Sequence, residues 1–154
     1  MTTKPKRIEE ASPDELPVLT ISADKVCFII VKAREFDVKD AVTEPDPGSN
    51  PSDDHMVAVL EDHGDDAVLA ELTTFISSLN GDEQIDLVAL AWLGRDDNTI
   101  EDWAELRDEA VRAHSTRVTH TARYLLGMPL VSDYLEEALS LFGQSCEDFD
   151  DKRL

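Results

Sequence analysis

One stretch of the sequence is apolar on almost every side of the helix that it predicts. It covers about residues 82–93, and Gly94 is expected to end it. Glu83 follows Asn80 by three positions, which is the spacing of a capping box. A helix without a polar face belongs at the centre of a core. The stretch therefore predicts a central helix surrounded by others, and its apolar members are Ile85, Leu87, Val88, Ala89, Leu90, Ala91, Trp92 and Leu93.

Apolar residues at helical spacing predict further helices on both sides of this one. The run 26–31 is also compatible with a buried strand, but we favour a helix because good helix formers continue the pattern. The last helix is expected after Ser132, with Asp133 and Glu136 in capping-box register and Gly143 at its end. The other expected elements are a helix over about 23–38, a short turn from Asp53 or Asp54 toward Asp62, a helix from Asp65-Asp66 to Asn80, and a helix from Thr99 to Leu126 with a kink near Ser115.

No segment shows the alternating pattern that is typical of a strand. The prediction is therefore an all-α fold, a compact single-domain bundle of five to six helices. Residues 1–18 mix charges with three prolines and predict a disordered tail. Residues 19–149 are expected to form the helical domain, and residues 150–154 a short tail of acidic and basic residues.

The charge is strongly negative and unevenly distributed. The chain has a formal net charge of −20, and residues 40–94 contain thirteen acidic residues but neither lysine nor arginine. Non-specific binding to nucleic acid or anionic lipid depends on basic residues, so we expect neither. We predict instead a non-enzymatic interaction module that presents acidic residues to a basic protein surface. The acidic surface predicted for this role contains Asp46, Asp53, Asp54, Glu61, Asp62, Asp65 and Asp66.

The two cysteines, Cys27 and Cys146, have neither CxxC nor zinc-type spacing. We interpret them as reduced, unpaired thiols, which indicates a cytoplasmic protein. Neither is expected to be a nucleophile, because Cys27 lies in an apolar run and Cys146 stands beside two acidic residues. No apolar run approaches the roughly 20 residues that span a bilayer, so no membrane segment is expected.

An alternative function is metal binding, in a metal-binding protein or a metal-dependent enzyme. Carboxylates suit Ca²⁺ or Mg²⁺, and added imidazoles suit Zn²⁺ or Mn²⁺. The candidate ligands are His55, Asp62, His63 and Asp66. The segment fails the EF-hand pattern, and its histidines lack HExxH spacing. The simpler interpretation is a solvated acidic loop, so no cofactor is expected and a divalent metal remains the alternative.

A basic group on the long predicted helix could contact an anion or an acidic surface. It contains Arg112, Arg117, His120 and Arg123, which share one side of the helix. The simpler interpretation is that these residues pair with the chain's own acids. His114 falls near the apolar side and is expected in or near the core. The sequence contains no recognised catalytic motif, and a homo-oligomer is possible without a defined symmetry.

Several long blocks of the sequence resemble one known family. They read SADKVCFIIVKAREFDVK, EPDPGSNP, DEQIDLVALAWLGRDD and YLLGMPLVSDYLEEALSLFGQSCEDF. In this order they are similar to the bacterial domain of unknown function numbered 3775, over about residues 19–149. The resemblance implies a single cytoplasmic helical domain, and it transfers no site residue to this chain.

Overall fold

The computed structural model describes residues 16–43, 67–117 and 121–150. These ranges contain six α-helices and no strand, and a 3₁₀ turn at Ile100–Asp102 precedes the fourth helix. The predicted all-α bundle is therefore confirmed for this part of the chain. The helices are α1 (Ala23–Thr43), α2 (Ala67–Ser78), α3 (Gly81–Arg95), α4 (Trp103–Arg117), α5 (Thr121–Leu126) and α6 (Val131–Leu141).

Helix α3 is the centre of the core, as predicted. Its residues from Leu87 to Ala91 are all at most 2% exposed. Helices α4, α5 and α6 pack against it, while α1 packs on α6 and α2. The central position follows from the sequence because a helix apolar on all sides is stable only when neighbours cover it.

The predicted capping box at the start of α3 is confirmed. The Asn80 side chain accepts a hydrogen bond from the Glu83 amide at 2.8 Å, and the Glu83 carboxylate accepts one from the Asn80 amide at 3.0 Å. The end of the helix was predicted wrongly, because α3 continues through Gly94 to Arg95. A Cβ at Gly94 would overlap the Tyr134 carbonyl oxygen and lie 2.7 Å from its carbonyl carbon. Gly94 is therefore a contact point between α3 and α6.

The run 26–31, for which both a helix and a buried strand were considered, lies in helix α1. This helix extends to Thr43 and does not end near residue 38 as predicted. It lies in the core because its predicted apolar face is buried, namely Val26, Ile29, Ile30, Ala33 and Phe36. Helical spacing predicts a second apolar face, which is also confirmed over α2 and the residue after it: Leu72, Ile76 and Leu79 are buried, and Val68 and Phe75 are half-buried.

The helix predicted from Thr99 to Leu126, with a kink near Ser115, is described as the 3₁₀ turn, α4 and α5, and residues 118–120 between these two helices lie outside the described ranges. One predicted helix start was wrong. The capping box predicted at Asp133 and Glu136 is absent, since α6 already begins at Val131 and Leu130 precedes it with φ 67°. Ser132 is buried within the first turn. The left-handed conformation of Leu130 turns the chain into the helix at Val131. The helix therefore begins before the polar residues Ser132 and Asp133.

The end of α6 at Gly143 was predicted correctly. Gly143 has φ 76°, and its amide donates to the Ser140 carbonyl at 2.9 Å. The Gln144 amide donates to the Leu139 carbonyl at 2.9 Å. This pair of hydrogen bonds is a Schellman motif, which favours glycine at the left-handed position.

Several predictions concern residues outside the described ranges. These are most of the N-terminal tail, the turn between residues 53 and 62, and residues 151–154. The domain limits at residues 19 and 149 stay a prediction. None of the helices in the described ranges combines the length and the apolar character that crossing a membrane requires.

Candidate functional site

The acidic residues predicted as an interaction surface lie outside the described residues. All of Asp46, Asp53, Asp54, Glu61, Asp62, Asp65 and Asp66 fall within residues 44–66, as do the candidate metal ligands His55 and His63. Both assignments therefore stay predictions. Within the ranges that the structure does describe, no group of three or more histidine, cysteine or acidic side chains has the arrangement of a metal site.

The predicted basic group is only partly described. Arg112 and Arg123 are exposed, while His120 and the side chain of Arg117 are outside the described residues. An anion contact formed by these residues stays a prediction. His114 is half-buried, as expected, and its Nε2 atom lies 3.7 Å from the position of a Cβ at Gly81, beside the start of α3.

A different acidic surface is visible where the end of α3 meets the outer side of α6. Two open clefts of about 490 Å³ each lie side by side there and share Asp133 and Glu137. One is lined by residues 93–98 with Tyr134, and the other by Ser140, Gln144 and Ser145. We call the five exposed carboxylates of this surface the acidic face: Asp96, Asp97, Asp133, Glu136 and Glu137.

Two arginines neutralise the acidic face only in part. One Nη2 atom of Arg34, from α1, donates to Asp133 at 2.7 Å and to Glu136 at 2.8 Å. These hydrogen bonds, to Glu136 first and then to Asp133, raise the pKa of the Arg34 guanidinium above its usual value. Arg95 lies 3.5 Å from Asp96. Five carboxylates against two guanidinium groups leave the acidic face with a negative balance.

The loop that carries Asp96 and Asp97 is held firmly against the core. The contact at Gly94 places the end of α3 directly on the α6 backbone. The Asn98 side chain donates to the Trp92 carbonyl at 3.2 Å, and the Trp92 indole donates to the Tyr124 hydroxyl at 2.8 Å. The acidic face is therefore displayed on a fixed scaffold, which reduces the entropy that binding would otherwise lose.

A second polar cluster lies inside the bundle, around a carboxylate that the sequence analysis did not single out. Asp86 of α3 is fully buried, and its carboxylate lies 2.6 Å from the Arg107 Nε atom of α4. It also accepts hydrogen bonds from the amides of Thr20 and Ile21, the latter at 3.3 Å. The sequence signal was present, because an acidic residue in an otherwise apolar helix needs a partner when it is buried. Its bonds tie the chain before α1 to α3 and α4.

Lys25 and Glu83 extend this cluster toward the surface. The Lys25 Nζ atom lies 2.7 Å from the Glu83 carboxylate, whose side chain is 11% exposed. The hydrogen bond from Lys25 lowers the pKa of Glu83 against the opposing effect of burial, and the Asn80 amide lowers it further. These groups are paired with one another, so the cluster has the character of a structural anchor.

The prediction of two unpaired thiols was wrong. Cys27 and Cys146 form a disulfide, with their Cα atoms 5.6 Å apart and 119 positions between them in the chain. The spacing contained no signal, because only the packing of α1 against α6 brings the chain after α6 beside the first part of α1. Cys27 is nevertheless buried among apolar side chains, as predicted, at 1% exposure.

Comparison with known proteins supports the resemblance stated above over part of its length. Residues 69–144, which span α2 to the end of α6, match the family model DUF3775, described as a protein of unknown function. The match is shorter than the predicted resemblance over residues 19–149 and does not include α1. The bacterial origin stays a prediction. No curated protein and no solved structure matches the chain.

Proposed function

Because residues 69–144 belong to the family DUF3775, whose description states no function, we propose a function from the described surface. We propose that the protein is a non-enzymatic interaction module, and that the acidic face binds a basic surface of a protein partner. The observation that carries this proposal is the group of five exposed carboxylates around two adjoining clefts, where the described part of the chain provides Arg34 and Arg95 as basic partners.

The geometry favours arginine-rich or lysine-rich partners over a single small ligand. The clefts are open and shallow, so each carboxylate remains hydrated and contributes little on its own, about 0–1 kcal/mol per exposed pair. Several carboxylates in one area act together by steering a basic surface toward the site and by fixing its orientation. The segment from Asp46 to Asp66 would add to the same attraction.

The test uses a labelled oligoarginine peptide and compares two variants that lose the same charge. The first variant neutralises the acidic face by Asp96→Asn, Asp97→Asn and Glu137→Gln, and it keeps the two acids that hold Arg34. If each charge contributes about 0.5 kcal/mol, affinity falls about tenfold. The matched control variant carries Glu105→Gln, Asp108→Asn and Glu109→Gln on the exposed side of α4.

Fluorescence anisotropy at low and moderate salt measures both variants. We expect the control variant to bind as the unmodified protein does, and all binding to weaken with salt. An equal loss in both variants would show that the peptide senses the overall charge of −20 rather than this face. Binding that does not change with salt would contradict the electrostatic basis of the proposal.

Metal binding remains the alternative proposal, with His55, Asp62, His63 and Asp66 as ligands. A metal that binds the folded state raises the melting temperature, and the rise grows with metal concentration. We expect the absence of any such shift with Ca²⁺, Mg²⁺, Mn²⁺ or Zn²⁺ if the interaction module is correct. A shift that survives moderate salt and disappears in a His55→Ala, His63→Ala variant would support the alternative.

The cytoplasmic location also stays a proposal. Its argument from reduced thiols no longer holds, because Cys27 and Cys146 are paired. Disulfides are rare in cytosolic proteins, and those that occur there are usually transient or redox-sensing. A cytoplasmic location is therefore consistent with this bond only if the bond opens and closes. Whether this chain forms a homo-oligomer is a separate question, which analytical sedimentation tests.

A further inference from the structure

The disulfide joins the first part of α1 to the segment that follows α6. We call residues 143–150 the C-terminal segment. Cys27 lies inside the core at 1% exposure, whereas Cys146 is half-buried at the edge of the core. The bond therefore joins one fully buried cysteine to one that is partly exposed, and a reductant would approach it from the Cys146 side.

Beyond Gln144, the hydrogen bonds observed between backbone groups of the C-terminal segment are local. The Schellman motif holds Gly143 and Gln144 on the end of α6. After it, the Phe149 amide donates to the Cys146 carbonyl at 3.1 Å, and the Glu147 amide lies 3.4 Å from the Ser145 hydroxyl oxygen. Phe149 is half-buried and packs on the core. The disulfide thus supplies a covalent attachment where the regular hydrogen bonding of α6 has ended.

The start of this segment is also a wall of the acidic face. Gln144 and Ser145 line the cleft that Asp133, Glu136 and Glu137 form with Ser140. The Ser145 carbonyl oxygen lies 3.9 Å from the Cys27 sulfur, so the wall and the disulfide are in direct contact. A change at the disulfide therefore reaches the cleft through a single residue.

We propose that the Cys27–Cys146 disulfide is a redox clasp: closed, it holds the C-terminal segment in place as a wall of the acidic cleft, and open, it releases that wall. The proposal rests on the proposed function of the acidic face. It names the regulation of that face, and it requires a small dithiol reductant as the opposing reactant.

The chemistry is ordinary thiol–disulfide exchange. A thiolate of the dithiol attacks the accessible Cys146 sulfur, the bond between the cysteines breaks, and Cys27 leaves as a thiolate that takes up a proton. The second thiol of the reductant then attacks the mixed disulfide and releases Cys146. The protein gains two electrons and two protons, and the dithiol becomes a cyclic disulfide. A buried Cys27 thiol packs as a small apolar group, so opening the bond leaves no charged group in the core at neutral pH once the thiolate has taken up its proton.

The experiment measures binding of the same oligoarginine peptide to three forms of the full chain at equal ionic strength. They are the oxidised protein, the protein reduced with dithiothreitol, and a Cys146→Ser variant. We expect the oxidised form to bind about three- to tenfold more tightly, because the closed cleft need not order Ser145 and the residues after it on binding. The Cys146→Ser variant should bind the peptide with the affinity of the reduced form, and dithiothreitol should not change that affinity. Ser115→Ala, at an exposed serine of α4 that lines neither cleft, is the control and should keep the difference between the two redox states.

Hydrogen exchange measured by mass spectrometry distinguishes release of the C-terminal segment from unfolding of the whole protein. It compares the oxidised and reduced forms of the unmodified chain, so it does not depend on a stable Cys146→Ser variant. Faster exchange confined to residues 145–150 after reduction supports the clasp. Faster exchange that extends through α1 and α3 would overturn it, because the disulfide would then hold the whole fold. Equal peptide affinity in both redox states would also overturn it while leaving the proposed function intact. If neither state binds the peptide, the proposed function itself has failed. Two titratable thiols in protein purified under oxidising conditions would likewise exclude the clasp.

Discussion

Replacing Asp86 by alanine is expected to destabilise the protein more than replacing any exposed acid of the described ranges. The Asp86 carboxylate is fully buried and lies 2.6 Å from the Arg107 Nε atom. It is also the acceptor for the amides of Thr20 and Ile21. The variant therefore removes an ion pair, leaves two amides without this acceptor and loosens the chain before α1.

The size of the destabilisation depends on how well each group that loses Asp86 as its partner can be hydrated in the variant. Removing one partner of a buried ion pair typically costs about 3–5 kcal/mol, because the other charge is left uncompensated. The Arg107 side chain is 29% exposed and lies 3.7 Å from Asp82, so it can partly recover, which favours the lower end of that range. The two amides add about 1 kcal/mol or more. We expect a loss of about 4 kcal/mol in the free energy of unfolding.

Urea unfolding followed by far-ultraviolet circular dichroism, under non-reducing conditions at neutral pH, measures this loss. Asp97→Ala is the matched control, since that residue is exposed and its replacement should stay within about 0.5 kcal/mol. A double variant with Arg107→Leu should lose less than the sum of the single losses, because the two side chains act as a pair. A free energy for Asp86→Ala within about 1 kcal/mol of the unmodified protein, at an unchanged m-value, would refute this reasoning.

Three further predictions concern backbone and pH. Gly94→Ala should lower the free energy of unfolding by about 3 kcal/mol or more, because the new Cβ would overlap the Tyr134 carbonyl. Gly81→Ala is the control and should be nearly neutral, because its Cβ would lie 3.7 Å from the nearest atom, the His114 Nε2. Equal effects of the two variants on chemical unfolding would contradict the close contact at Gly94. Leu130→Gly should stabilise by about 0.5–1 kcal/mol, because it relieves a left-handed leucine that is 59% exposed; a lower melting temperature would show that leucine packs there. The pKa of Glu83 is lower in the folded protein than in the unfolded chain. The contribution of this ionised side chain to the free energy of unfolding is therefore complete above the unfolded pKa, and it is lost as the pH falls through the folded pKa. Glu83→Gln, which can still form the capping box, should flatten the acid limb of the stability curve, and an unchanged limb would exclude this pairing as its source.

The parts of the fold that local spacing determines were predictable from the sequence. Leu87 to Ala91 are buried because an all-apolar helix has no other stable place. The Asn80–Glu83 capping box and the turn at Gly143 were predictable because both depend on neighbouring residues alone. The apolar side of α1 followed from its helical period in the same way.

The parts that depend on distant residues were missed. Gly94 has the sequence signature of a helix end, and only the approach of Tyr134 shows that it lies inside α3. Asp86 and Arg107 are 21 positions apart, and their pairing depends on how α3 and α4 cross. The acidic face was missed for the same reason, since Asp96 and Asp97 join the α6 acids only in the folded chain. The sequence directed attention to residues 44–66 because charge density is visible without a fold.

The disulfide also gives the chain an unusual covalent connectivity. Cys27 and Cys146 are 119 positions apart in the sequence, so α2 to α6 all lie within a single closed ring of main chain and sulfur. A protease that cuts once anywhere within that ring produces two new ends but no separate fragments. Such a nicked protein stays one molecule on a non-reducing gel and divides into two bands only when a thiol is added. After a single cut, the two parts of the chain can therefore separate only when the disulfide is also reduced.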